Sequence, residues 1–289
     1  MVNRDAIRKI KQATVAVGVA EKYTLKLISI LGSGFMVDKS GVIMTAKHVF
    51  DGCKTTQEFY KRVNKIDTVI AIFRPITTSK QLDFDRGVIS EIQNVRYGGN
   101  LDTFPIIDVD LAFGKMEKPF PDFNPLTIRE PDKFELLNEV AICGYPAGEH
   151  SLDIKGKGMG MRFSPVIQVG RIGGLLPFDD APDPYGIQTD IIGVGGSSGS
   201  PLLDPNDGNV IGIAQRVLPA DVEVNFTDFK NMKAKGFGNA KIGQVYGLTN
   251  YIIHPATIAV LQYFKTRQHT HFKVNTTGLN FNYNIQVGE

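Results

Sequence analysis

Two series of short apolar segments, split by a proline-crowded stretch, constrain this chain more than any other feature. In the first series Thr14–Val19 alternates, Leu25–Leu31 is apolar and β-branched, and Gly34–Val37 runs through the turn Asp38–Lys39–Ser40–Gly41 into Val42–Ala46. That is the grammar of a hairpin, with its second strand ending at Lys47–His48. Asp67–Phe73 and Val109–Lys115 read as further strands, while Asp83–Asn100 mixes charge with glycine and reads as an extended loop. Pro119, Pro121 and Pro125 then crowd Glu117–Pro131, the expected linker. The β pattern resumes at Glu139–Gly144, Ser164–Gly173, Gly186–Ile192, Gly208–Ala214 and Val245–Leu248. Many short strands at this spacing predict an all-β barrel or sandwich in each half. A chain of 289 residues is long enough for two such units sharing a cleft.

Helices are expected only near the ends. Arg4–Gln12 has Ala6, Ile7 and Ile10 at amphipathic spacing, and Pro255–Lys265 carries proline at its start. In the tail, Leu279–Val287 alternates apolar and amide side chains without a break, which predicts a strand with one buried face. An edge strand within the chain is the expectation, with a subunit contact as the alternative.

The net charge of +2 and the lack of a basic, aromatic-interleaved stripe exclude an ordinary nucleic-acid binder. Arg4, Arg8, Lys9 and Lys11 read as the charged face of the first helix. The two cysteines, Cys53 and Cys143, suit free thiols in a reducing compartment, and Cys53 reads as packing. Met1–Ala20 lacks a signal-peptide pattern, and no stretch approaches the roughly 20 apolar residues of a spanning helix. A soluble cytoplasmic protein is therefore expected, without a membrane partner. His269–Thr270–His271 could chelate a metal, but no cysteine or carboxylate cluster adjoins it. No metal or cofactor is expected.

A hydroxyl becomes a useful nucleophile only beside an imidazole, which in turn needs an acceptor to fix its tautomer. Gly195–Gly196–Ser197–Ser198–Gly199–Ser200–Pro201 is a bend tight enough to expose a serine and to aim backbone N–H groups at an oxyanion. Taken alone, it could be a mere turn. Thr45–Ala46–Lys47–His48 sets a histidine after a buried strand, with small residues leaving room around it. Asp108–Val109–Asp110–Leu111–Ala112–Phe113 sets an aspartate at the head of an apolar strand, and Asp108 remains an alternative to Asp110.

Together these segments resemble the three signatures of trypsin-like serine proteases, in that family's order of His, Asp, Ser. Gly32–Val37, Val140–Gly148, Gln188–Asp190 and Gly208–Ile213 are most similar to the HtrA-type branch. The resemblance covers roughly residues 10 to 255. It implies a chymotrypsin-like fold of two six-stranded antiparallel β-barrels. Residues 1–118 would carry His48 and Asp110, residues 119–255 would carry Ser198, and residues 256–289 would add a helix and a β tail. Ser198 would be the nucleophile, His48 the base and Asp110 its orienter. The bend Gly196–Ser197–Ser198 would supply the oxyanion hole, through the N–H groups of Gly196 and Ser198 above all. Ile192 would floor the primary pocket, with Ile213, Ala214 and Gln215 along one wall. With no acid at that floor, small or medium apolar side chains are expected at the cleaved residue.

Three departures from the family pattern stand out. Ser197 replaces the aspartate that pairs with a freed amine in zymogens, so competence without N-terminal cleavage is expected. Ser200 stands where glycine is usual. About 35 residues follow the second unit, fewer than a PDZ domain needs. Protein or peptide substrates follow from the resemblance, and a homo-oligomer of unspecified state is compatible with it. Two other functions compete with this one. Gly195–Gly199 also fits the elbow of α/β-hydrolases with Ser197 as nucleophile, but Pro201 and the turn Asp204–Gly208 replace the helix that fold requires. A catalytically silent or self-blocked binding module is the other, with the alternating tail lying along the cleft as a pseudo-substrate.

Overall fold

The computed structural model describes residues 4–77, 82–99, 107–122, 124–128, 134–146, 164–176, 179, 186–220, 245–252, 272–276 and 279–283. Helix α1 (Arg4–Ala13) leads directly into strand β1 (Thr14–Glu21), the junction closed by Thr14 Oγ1 donating to Ile10 O at 2.9 Å. The first barrel continues with β2 (Leu27–Asp38), β3 (Val42–Thr45), β4 (Thr68–Thr77), β5 (Leu82–Gly99) and β6 (Ile107–Met116). Neighbouring strands run in the order β5-β4-β1-β2-β3-β6, and a β5–β6 pairing closes the ring. The second barrel is a closed ring of β10 (Pro201–Leu203), β11 (Val210–Ala220), β12 (Val245–Ile252), β9 (Gly186–Thr189), β8 (Val166–Leu176) and β7 (Glu139–Gly144). The strand pattern predicts the all-β class, and two six-stranded antiparallel barrels are what the family resemblance implies.

One apolar cluster reaches from the first barrel into the second, which holds a further core of its own around Ile142, Ile172 and Leu202. Val15, Val17, Phe35, Ile43 and Phe113 fill the first barrel, and they are continuous with Ala141, Cys143, Leu203, Val210 and Ile213 of the second. Phe35, Phe50 and Phe113 are fully buried, each stabilising the fold by ~1.5–3 kcal/mol relative to exposure. Helix α1 acts as a clasp: Ile10 belongs to this shared core and lies with Ala6 against Gly208 of the second barrel. The proline-crowded linker is a second clasp. Leu126 N–H donates to Met36 O of the first barrel at 2.8 Å, and Val210 N–H of the second donates to Thr127 O at 2.8 Å.

Three elements differ from expectation. Lys47–Phe59 is a helix, α2, extended by a π-helical turn over Tyr60–Asn64. It buries Val49, Phe50 and Cys53 across one end of the first barrel. The stretch read as a loop from Asp83 to Asn100 is mostly the 18-residue strand β5. Two of its charged residues, Asp85 and Glu91, find partners on other elements. Arg74 of β4, 7% exposed, donates its Nε to Asp85 at 3.0 Å and its Nη2 to Asp122 at 2.7 Å, with its guanidinium over the Phe120 ring. That bond from Arg74 holds the Asp122 carboxyl below its ordinary range. Lys54 of α2 pairs with Glu91 of β5. Finally, the segments read separately as Leu25–Leu31 and Gly34–Val37 belong to one continuous strand, β2, which runs through Gly32–Ser33–Gly34.

The tail forms a hairpin of β13 (Phe272–Thr276) and β14 (Leu279–Tyr283). Strand β14 pairs with β5 of the first barrel, Phe281 opposite Gly99 and Asn282 opposite Gly98. The alternating segment therefore has an intramolecular strand as its partner. The expected helix at Pro255–Lys265 and the His269/His271 pair lie outside the described residues. Cys53 and Cys143 are free and buried, and burial pushes both thiols up to about 12, so neither is an activated nucleophile. Among the described residues no His/Cys/Asp/Glu cluster could hold a metal, and no helix is long and apolar enough to cross a membrane.

Candidate active site

The site is built at the N-terminus of α2. Strand β3 ends at Thr45, Ala46 is extended, and the helix begins at Lys47, which puts His48 in the first turn. Ala46 offers no side chain to cap the helix, so an early N–H needs an outside acceptor. Asp110 of β6 supplies it: His48 N–H donates to Asp110 Oδ1 at 2.9 Å. The other oxygen, Oδ2, lies 2.6 Å from His48 Nδ1. One carboxylate thus caps the helix and orients the imidazole it carries. The His48 side chain is 48% exposed and that of Asp110 17%, so the ring faces solvent while its support is sheltered.

Asp110 is itself braced from the other barrel. Gln215 of β11 donates its Nε2 to Asp110 O at 2.9 Å. Gln215, expected along a pocket wall, is buried where it makes this bond. Ile213 and Ala214, from the same expected wall, are also buried, in the shared core and in the second barrel's core respectively. Ile192, the expected pocket floor, is 63% exposed, because the chain leaving β9 turns Ile191 into the core in its stead. Asp108 pairs through the backbone with Arg96 in the β5–β6 ladder.

The serine segment is fastened on both sides. Gly199 N–H donates to Ala214 O at 2.8 Å and Ala214 N–H to Ser200 O at 2.9 Å, which ties it to β11. On the first barrel, Ser33 N–H donates to Ser198 O at 2.7 Å. Gly199, with φ +83°, lies against Ser33 O, Thr45 Oγ1 and Ala46 N, two residues before His48. The Ser198 segment and the His48 helix start are therefore neighbours across the crevice. Ser198 is half-buried, whereas Ser197 is 3% exposed, with its Oγ inside the protein and no partner among the described residues. A buried hydroxyl of this kind does not suit the elbow nucleophile of an α/β-hydrolase.

The preceding residues form a turn closed by Ser197 N–H donating to Val194 O at 3.0 Å. Gly196 has φ +89°, the third-position geometry of a type II turn. Ser197 therefore leaves the set of expected oxyanion donors, because its N–H is already engaged. The N–H groups of Gly196 and Ser198 have no acceptor among the described residues.

A family model described as the trypsin-like peptidase domain matches residues 32–213, a span that holds His48, Asp110 and Ser198. The chain belongs to the trypsin-like peptidase family. Among solved structures this peptidase is similar to Deg5, with 19% identity, a TM-score of 0.51, and coverage of 91% of this chain and 93% of that one. It is also similar to the HtrA-type protease AlgW, solved with a decapeptide, at 16% identity and TM-score 0.51, covering 94% and 72% of the two chains. At these identities the likeness is one of fold. No curated protein matches the chain in sequence.

The departure at Ser200 has a local explanation. A Cβ at Gly144 would overlap Ser200 Oγ, so the glycine on β7 makes room for the serine that stands where the family usually has glycine. Gly144→Ala is expected to destabilise the protein by about 2 kcal/mol through overpacking. Adding Ser200→Gly should return most of that loss, although Ser33 Oγ would still lie 2.9 Å from the new methyl. Urea denaturation of the two single variants and the double variant measures this coupling, and strictly additive losses would refute it.

Proposed function

We propose that this peptidase is a serine endopeptidase that forms an acyl-enzyme on Ser198. The observation that carries this reading is the His48–Asp110 pair at 2.6 Å, in a crevice bordered by the Ser198 segment. With Nδ1–H donated to Asp110, the imidazole presents Nε2 as an acceptor for the Ser198 hydroxyl proton. Ser198 Oγ then attacks the peptide carbonyl, and the oxyanion is stabilised by the N–H groups of Gly196 and Ser198. His48 returns the proton to the leaving amine as the C–N bond breaks, and water repeats the sequence to release the acid.

At the cleaved residue the enzyme prefers small or medium apolar side chains. What supports this is the sequence: Ile192, not an acid, stands six residues before Ser198, so a cationic side chain would lack a partner there. Labelling with a fluorophosphonate tests the reading. Wild type and Ser197→Ala are expected to be labelled and Ser198→Ala not. Label lost only in Ser197→Ala would overturn it in favour of the hydrolase elbow, and an unlabelled wild type would overturn it in favour of a silent binding module.

A further inference from the structure

Ser33 is fully buried in the middle of β2, yet every polar atom it has is engaged. Its N–H donates to Ser198 O at 2.7 Å, and its carbonyl accepts from Thr45 Oγ1 at 2.7 Å. Its hydroxyl donates to Gly196 O at 2.7 Å and accepts from Tyr145 N–H at 2.8 Å. One residue of the first barrel thereby holds β3, both ends of the Gly196–Ser198 segment and the exit of β7.

Resting on the serine-peptidase reading above, we propose that Ser33 is a positioning residue whose hydroxyl sets the oxyanion turn. The peptide joining Gly196 to Ser197 is held at both ends, its carbonyl by Ser33 Oγ and its N–H by Val194 O at 3.0 Å. The preceding peptide carries the Gly196 N–H and lies between two glycines, so no Cβ resists its rotation. Fixing one peptide of the turn restricts its neighbour, because the two share the φ of Gly196, held at +89°. The hydroxyl also relays Tyr145 N–H to Gly196 O, a chain in which each bond polarises the next. Deleting it would leave the buried Tyr145 N–H and the half-buried Gly196 carbonyl without this partner together. Released from Ser33, the Gly196 carbonyl is free to rotate, and that rotation turns the Gly196 N–H away from the oxyanion.

The test compares Ser33→Ala with wild type and with Ser200→Ala, which removes a neighbouring buried hydroxyl that has no partner among the described residues. On a peptide substrate, Ser33→Ala should lower kcat by about 10²-fold, the usual scale for one lost oxyanion donor, and change KM less than threefold. The low-field proton resonance of His48 Nδ1–H should persist, because the His48–Asp110 pair is untouched. Ser200→Ala should stay within twofold of wild type in kcat. If Ser33→Ala is poorly folded, Ser33→Cys fills the same space with a weaker donor and should show an intermediate loss of kcat. A Ser33→Ala or Ser33→Cys enzyme with wild-type kcat would overturn the role, as would a loss accompanied by disappearance of the Nδ1–H resonance. A wild type that takes up no fluorophosphonate would instead defeat the serine-peptidase reading, and this role with it.

Discussion

Replacing His48 or Ser198 by alanine should lower kcat/KM on a peptide substrate by on the order of 10⁶-fold, and Asp110→Asn by about 10⁴-fold. The asparagine variant is the more informative, because Asp110 uses both carboxylate oxygens. Oδ1 accepts from the His48 backbone N–H at 2.9 Å and Oδ2 faces Nδ1 at 2.6 Å. An amide has one oxygen. If that oxygen stays with the backbone N–H, its NH₂ confronts Nδ1 and forces the ring proton onto Nε2. An imidazole in that tautomer cannot accept the proton of Ser198. If the amide flips, two donors confront each other at the start of α2, and the helix loses its only identified acceptor for His48 N–H. The first orientation defeats the base through its tautomer; the second keeps the tautomer but unsettles the helix start that carries the ring. Steady-state kinetics paired with thermal melts check the prediction. A melting loss in Asp110→Asn larger than in His48→Ala would mark the flipped amide, and kcat/KM within tenfold of wild type would remove Asp110 from the mechanism.

The parts of this fold that were legible in the sequence are those whose pattern is local. Val15, Val17 and Val19 announce β1, and Val140–Cys143 announces β7, because the alternation or apolar run is visible within six residues. Strand β5 was not legible, since Asp85 and Glu91 look like loop residues until Arg74 and Lys54 are known to meet them. Helix α2 was hidden for a related reason. Its apolar stripe is only Val49, Phe50 and Cys53, and its first turn is capped by Asp110 from a distant strand. The same division runs through the site. His48, Asp110 and Ser198 stand out as motifs, but the bonds that hold them join residues far apart. Ser33 reaches Gly196 across 163 positions, Tyr145 reaches Ser33 across 112, and Gln215 reaches Asp110 across 105. A hydrogen bond at such separation leaves no periodic trace. The only signal that could have flagged Ser33 was a serine between two glycines inside an apolar strand, where no turn was needed.

Gly199→Ala should also lower kcat/KM by at least about 10²-fold, although residue 199 contributes no side chain to the chemistry. Its φ of +83° already disfavours alanine, by roughly 1–2 kcal/mol. The steric problem is greater. The added methyl would overlap Ser33 O and Thr45 Oγ1 and lie 3.1 Å from Ala46 N, all on the first barrel. Two of these are backbone atoms of buried strands or their ends and cannot move aside cheaply. The serine segment must retreat instead, yet Gly199 N–H and Ser200 O are bonded to Ala214 at 2.8 and 2.9 Å on the other side. What gives way is the 2.7 Å bond from Ser33 N–H to Ser198 O, and Ser198 moves away from the barrel that carries His48. A displacement of about 1 Å is enough for the stated loss. Gly52→Ala is the matched control. It lies on the helix that carries His48, its added Cβ would meet only Leu31 Cδ1 at 3.6 Å and Cγ at 3.8 Å, and the methyl should stabilise the helix by roughly 0.5–1 kcal/mol. Kinetics and urea melts of both variants separate the two outcomes. If Gly199→Ala keeps wild-type kcat/KM, the Ser198 segment does not rest on Ser33, and the docking of one barrel on the other would have to differ from the one described.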